Sequence, residues 1–81
     1  MALELEFTVE PFDPGAPGPH VEAALRAARA AGGELRVGPF GTLLRAEQDE
    51  VLEALAGVVR AAIDAGATRV TLQVAADEKD P

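Results

Sequence analysis

The chain has 81 residues, room for one domain, since domains usually run to about 100–150 residues and rarely fall below about 50. Hydrophobic residues make up 48%, charged residues 26%, and seventeen positions are alanine, a globular, helix-rich balance and not a disordered one. Asp plus Glu number 14 against 7 Lys plus Arg, a net charge of −7 that speaks against nucleic acid and anionic membranes as partners, because phosphates need basic patches. Cysteine is absent, which removes disulfides, thiol chemistry and Cys-based metal sites, and a single histidine with no Trp or Tyr thins the catalytic repertoire further.

The first seven residues, Met-Ala-Leu-Glu-Leu-Glu-Phe, place no basic stretch before an apolar run and do not read as a signal peptide. No apolar segment approaches the ~20 residues that span a bilayer. A cytoplasmic location is the expectation.

From residue 3 to residue 10 the chain alternates strictly, Leu3, Leu5, Phe7 and Val9 to one side and Glu4, Glu6, Thr8 and Glu10 to the other. That is a strand with one buried face. Residues 11–18, with three prolines and two glycines, form a loop. Pro19 suits the first position of a helix, whose apolar positions Val21, Ala24, Leu25 and Ala28 recur at helical spacing up to Gly32-Gly33. Leu35 and Val37 share one side of a short second strand. Gly38-Pro39-Phe40-Gly41 turns the chain into a third strand, Thr42 to Ala46.

Residues 48–65 form the longest periodic run, a helix with Val51, Leu52, Leu55, Val58, Val59, Ala62 and Ile63 as its buried stripe and Gly66 at its end. A last strand runs from Thr68 to about Ala76 with Val70, Leu72 and Val74 inward, and residues 77–81 are a charged tail expected to fray. Strand, helix, strand, strand, helix, strand gives two βαβ halves. Right-handed crossovers make this a single α+β, ferredoxin-like βαββαβ sandwich over residues 1–81, sheet order 4-1-3-2, both helices on one face.

That topology brings three irregular segments to one edge: the end of the first strand (Glu10, Pro11, Phe12, Asp13), the hairpin at residues 38–42, and the start of the last strand near Thr68 and Arg69. A small-molecule pocket forms most readily there. The fold hosts unrelated functions, so side chains must choose among them. RNA recognition needs stacking aromatics on a basic sheet, and here the open face offers Glu4, Glu6 and Glu10. Soft-metal carriage needs cysteines. Acyl-phosphate hydrolysis needs a cationic, glycine-rich loop, and residues 11–18 hold no Arg or Lys. No nucleophile–base pair or metal set is visible, so an enzyme is disfavoured.

The order of motifs resembles the small YkoF-like thiamine-binding proteins. The likeness rests on the alternating first strand ending in a Pro-containing loop. It rests also on Gly38-Pro39-Phe40-Gly41-Thr42 with Asp49-Glu50-Val51 beyond it, and on Ala65-Gly66-Ala67-Thr68-Arg69-Val70 before the acidic tail. The resemblance implies a homo-oligomer, dimer or tetramer, that binds thiamine or a related pyrimidine without turning it over. Thiamine is a small-molecule ligand with a cationic thiazolium and a flat aminopyrimidine. It calls for a carboxylate, an apolar wall and a few hydroxyl or backbone groups. The residues expected to supply them are Thr8, Glu10, Phe12, Phe40, Gly41 and Thr42, with no catalytic residue, resident cofactor or metal.

Arg45 and Ala46 stand where members of that family often carry an acidic residue and a glycine, and Val59 and Arg60 where many carry a His-Glu pair. These departures favour the alternative, a structural or regulatory oligomerising domain with a vestigial pocket. Among the remaining polar residues, His20 in the first turn of a helix reads as neutral and exposed, and Glu47, Asp49, Glu50 and Glu53 as capping of the second helix in place of a metal site. The polar sheet face, with Glu34, Arg36, Arg69, Thr71 and Gln73 beside the first-strand acids, is open to pairing between subunits.

Overall fold

A computed structural model of the chain describes residues 1–12, 15, 18–38 and 41–76. Its elements are β1 (Ala2–Glu10), α1 (Pro19–Arg29), β2 (Glu34–Gly38), β3 (Gly41–Glu47), α2 (Gln48–Asp64) and β4 (Arg69–Ala76). The four strands form one antiparallel sheet in the order β2-β3-β1-β4, the expected 4-1-3-2 read from its other edge. Phe40 and residues 77–81 lie outside the described residues.

The alternation of β1 does what period 2 requires. Leu3, Leu5, Phe7 and Val9 are buried under the helices, while Glu6 and Glu10 are exposed on the other face. Across the sheet, Leu35, Leu44, Leu5 and Val74 share one cross-strand row, and Val37, Thr42, Phe7 and Leu72 the next. The core is closed by Ala24 and Ala28 of α1 and Val51, Ala54, Val58 and Ala62 of α2. Small residues dominate the helical side, so the helices lie close to the sheet and to one another.

The boundaries moved in ways that capping explains. Helix α1 ends at Arg29, short of the glycine pair, and two further turn residues precede Gly32, whose φ of +80° supplies the left-handed step. Gly33 is required for a different reason: a Cβ there would lie 2.4 Å from the Arg45 carbonyl oxygen. At the start of α2, the Glu47 amide donates to Glu50 Oε1 at 3.3 Å, one limb of a capping box, so the acids at this helix start have a structural use.

Four residues expected inside are not. Leu52 and Ile63 are 47% and 49% exposed. At 3.6 residues per turn they lie roughly 120° and 140° around the helix from Val58. The buried stripe is narrower than expected and includes Ala54, which hydrophobicity alone had passed over. Val37 and Val74 stand in the inward rows of the two edge strands and remain 58% and 41% exposed. His20 is half-buried and not exposed, with its Nε2 against the Pro11 carbonyl oxygen.

Candidate functional site

The sheet is not complete along β1. Its ladder with β4 runs from Leu3–Ala76 to Glu10–Arg69, but its ladder with β3 stops at Phe7–Thr42. Beyond that point β3 has turned back into the hairpin, where Gly38 pairs with Gly41. Residues 8–10 therefore have a neighbouring strand on one side only. The gap on the other side is walled by the hairpin and roofed by the first turns of α1.

A cavity of about 400 Å³ fills this notch. Its floor is Phe7 and Val9, its roof Val21 and Leu25, its far wall Val37 and Thr42, and its mouth is framed by Glu10 and Phe12. Val21 and Leu25 are half-buried although they stand at core spacing, because one side of each borders this space. Phe12 is 48% exposed at the rim. The walls are mainly apolar, and Glu10 is the one ionisable side chain among the described lining residues.

Glu10 is held from the β4 side. The Thr68 amide and hydroxyl both donate to its carbonyl oxygen, at 2.8 and 3.2 Å. Its carboxylate, on the face away from the helices, lies 3.9 Å from the Arg69 guanidinium, and both side chains are largely solvated. The anion expected to meet a cationic ligand thus already has a cationic neighbour. An exposed pair at this distance contributes little to stability and can be displaced.

Thr8, Glu10, Phe12, Gly41 and Thr42 all line the cavity, and Thr42 is buried within it. Phe40 falls outside the described residues. The start of β4 reaches the same edge through Thr68, as the topology required, yet neither Thr68 nor Arg69 lines the cavity. Sequence reasoning missed Phe7, Val9, Val21, Leu25, Val37 and Gly38. All but Gly38 were read as core, and their signal is the same as a core signal: apolar residues at the right period. Only the early end of the β1–β3 ladder separates a core position from a pocket wall.

Arg45 and Glu34, opposite one another across β2 and β3, lie with Glu4 on the open sheet face. Arg36 approaches Glu34 at 4.0 Å there. The four acids at residues 47–53 form no metal-ligating group among the described residues. Among the same residues, no helix is long and apolar enough to cross a membrane.

The family model described as "Thiamine-binding protein" matches residues 5–80. A search of curated proteins returns no match. Among solved structures, the chain is similar to a domain of unknown function, DUF77, from Bacillus cereus. The TM-score is 0.67 at 24% identity, covering 93% of this chain and 73% of that one. It is similar also to a candidate thiamine biosynthesis/salvage protein from Thermotoga maritima, with a TM-score of 0.67 at 20% identity over 93% and 81% of the two chains. A hypothetical protein from Methanocaldococcus jannascii superposes with a TM-score of 0.72 at 21% identity over 99% and 84%. At these identities the likenesses establish the fold.

Proposed function

The chain belongs to the thiamine-binding protein family, and from that premise we propose that it binds thiamine or a related pyrimidine in the notch beside β1 and releases it unchanged. The observation that carries this reading is the cavity itself: about 400 Å³, open at one end, walled by Phe7, Val9, Val21, Leu25 and Val37. That volume is within the range that encloses a small organic ligand. Its walls suit the flat face of an aromatic ring. The hydroxyl of buried Thr42 is a polar side-chain group available in the wall, and Glu10 lies at the mouth where a ring carrying positive charge would emerge. Binding without turnover is supported by the family, whose model is described as that of a binding protein.

We propose further that the protein works as a homo-oligomer. Leu52, Ile63 and Val74 leave apolar surface in water on α2 and the β4 edge, and on the outer sheet face Glu34, Arg45 and Glu4 form one row of alternating charge. Such surfaces suit a second copy of the chain. The same observation supports the second reading, an oligomerising domain with an unused pocket.

Isothermal calorimetry with thiamine, its phosphates and its pyrimidine half separates the two readings. Saturable one-to-one binding that is lost in Val21→Asp supports the first. Absence of binding by every one of these compounds leaves the second. Multi-angle light scattering at micromolar concentration tests association, and a mass of one chain refutes it.

A further inference from the structure

Helix α2 carries two apolar stripes, and the fold of one chain buries only the first, Val51, Ala54, Val58 and Ala62. The second is Leu52, Ala56, Val59 and Ile63, at intervals of four, three and four residues, the spacing of a coiled-coil seam. Leu52, Ala56 and Ile63 are exposed and Val59 is half-buried. Gly57 lies on the side of α2 that meets α1, since a Cβ there would sit 3.8 Å from that of Ala27. At 100° per residue the seam residues stand about 100–160° around the helix from Gly57, so α1 does not cover them. A shallow groove runs along this flank, with Leu55, Ala56, Val59, Arg60 and Ile63 among its walls. The charges beside the seam fit the same pattern. Glu53 and Arg60 each follow a seam residue, are exposed and edge the same side of it. Two turns apart, about 10 Å along the helix, they are not neighbours within one chain. In an antiparallel pair of these helices, Leu52 meets Ile63 of the second copy and Ala56 meets its Val59, which sets Glu53 of each copy beside Arg60 of the other. A parallel pair would turn both charges toward Leu55 and Ala62 instead. Val59 and Arg60 are also the positions where many family members carry a His-Glu pair, which would put a polar ring in the seam and a second acid beside it.

We propose that a second copy of the chain docks on this flank, the two α2 helices packing antiparallel about a two-fold axis that passes between Ala56 and Val59. The contact is isologous, with Leu52, Ala56, Val59 and Ile63 of both copies in the seam and two Glu53–Arg60 pairs at its rim. No residue of α2 lines the notch beside β1, so both cavities stay open in such a pair. The inference rests on the reading of the chain as self-associating and names the surface that does it.

Sedimentation equilibrium of the full chain tests this with charge reversals at exposed positions, circular dichroism confirming that each variant folds. The parent is expected to associate. Arg60→Glu and Glu53→Arg are each expected to weaken association about tenfold, since two attractive pairs become two repulsive ones. The double variant, and an equimolar mixture of the two single variants, are expected to recover the parent's association, because either restores opposite charges across the seam. Glu6→Arg, exposed on the outer sheet face, is expected to leave it unchanged. Single variants that associate as the parent does, a loss that the double variant does not rescue, or a complex broken by Glu6→Arg alone overturns the helix pairing and leaves self-association standing. A parent that remains a single chain removes self-association, and this inference with it.

Discussion

The two ends of β1 have the same alternation and opposite fates. At Leu5 the strand is flanked by β3 through Leu44 and by β4 through Val74, and the side chain is fully buried. At Val9 the strand keeps only β4, and the space that a third strand would fill is a cavity. Both residues are apolar, inward-facing and more than nine-tenths buried. What differs is whether their main-chain groups on the β3 side are consumed by a ladder. The comparison shows that a cavity needs no special residue types here, only a strand that outlasts its neighbour by three positions.

Substitutions at the two ends are expected to split stability from binding. Leu5→Ala, at the closed end, should lower the unfolding free energy by about 2–5 kcal/mol, the usual range for a leucine removed from a packed core. Urea denaturation measures it, and a loss under ~1 kcal/mol would show that this end is no better packed than the other. Phe12→Ala, at the open end, should weaken thiamine about tenfold in calorimetry. It should move the unfolding midpoint little, because the ring is half exposed at the rim of the cavity.

The layer shared by both ends provides a control. Gly57→Ala in the middle of α2 should stabilise by about 0.5–1 kcal/mol, since an alanine suits a helix interior better than glycine and the added Cβ would sit an ordinary 3.8 Å from Ala27. Calorimetry should find affinity unchanged, and a change in affinity would mean that the helices transmit to the notch. The smallest effect is expected at the mouth. Arg69→Ala removes the cation opposite Glu10 and should strengthen thiamine relative to its uncharged pyrimidine half by under ~1 kcal/mol, the scale of an exposed ion pair. Equal changes for both ligands would place the thiazolium away from Glu10.

Much of the architecture was legible because periodicity is a local property. The alternation of residues 3–10, Pro19 opening a helix and the glycines near residues 32 and 66 each report on their own neighbours, and topology rules then leave few ways to join six elements. The errors came where burial depends on a partner. Leu52 and Ile63 are apolar and fit the expected stripe of α2, but the helix buries Val51, Ala54, Val58 and Ala62 and leaves these two exposed. Val37 and Val74 stand in inward rows but on the edge strands, each with a neighbouring strand on one side only, and remain wet.

The site divides in the same way. Thr8, Glu10, Phe12, Gly41 and Thr42 were reachable from sequence because they belong to loops and strand ends that topology brings to one edge. Val21, Leu25 and Val9 were not, since a pocket wall and a core have the same hydrophobic pattern. The acidity of −7 shows the limit from another side: its most suggestive member, Glu10, is matched by Arg69 fifty-nine positions away.

By itself, then, the sequence determined the elements, their order and the apolar face of each, because those follow from neighbours along the chain. Tertiary structure decided which inward residues face a void, which acid has a partner, and where β1 is left without a strand beside it. These depend on strand length and register, and register is fixed only when the strands meet.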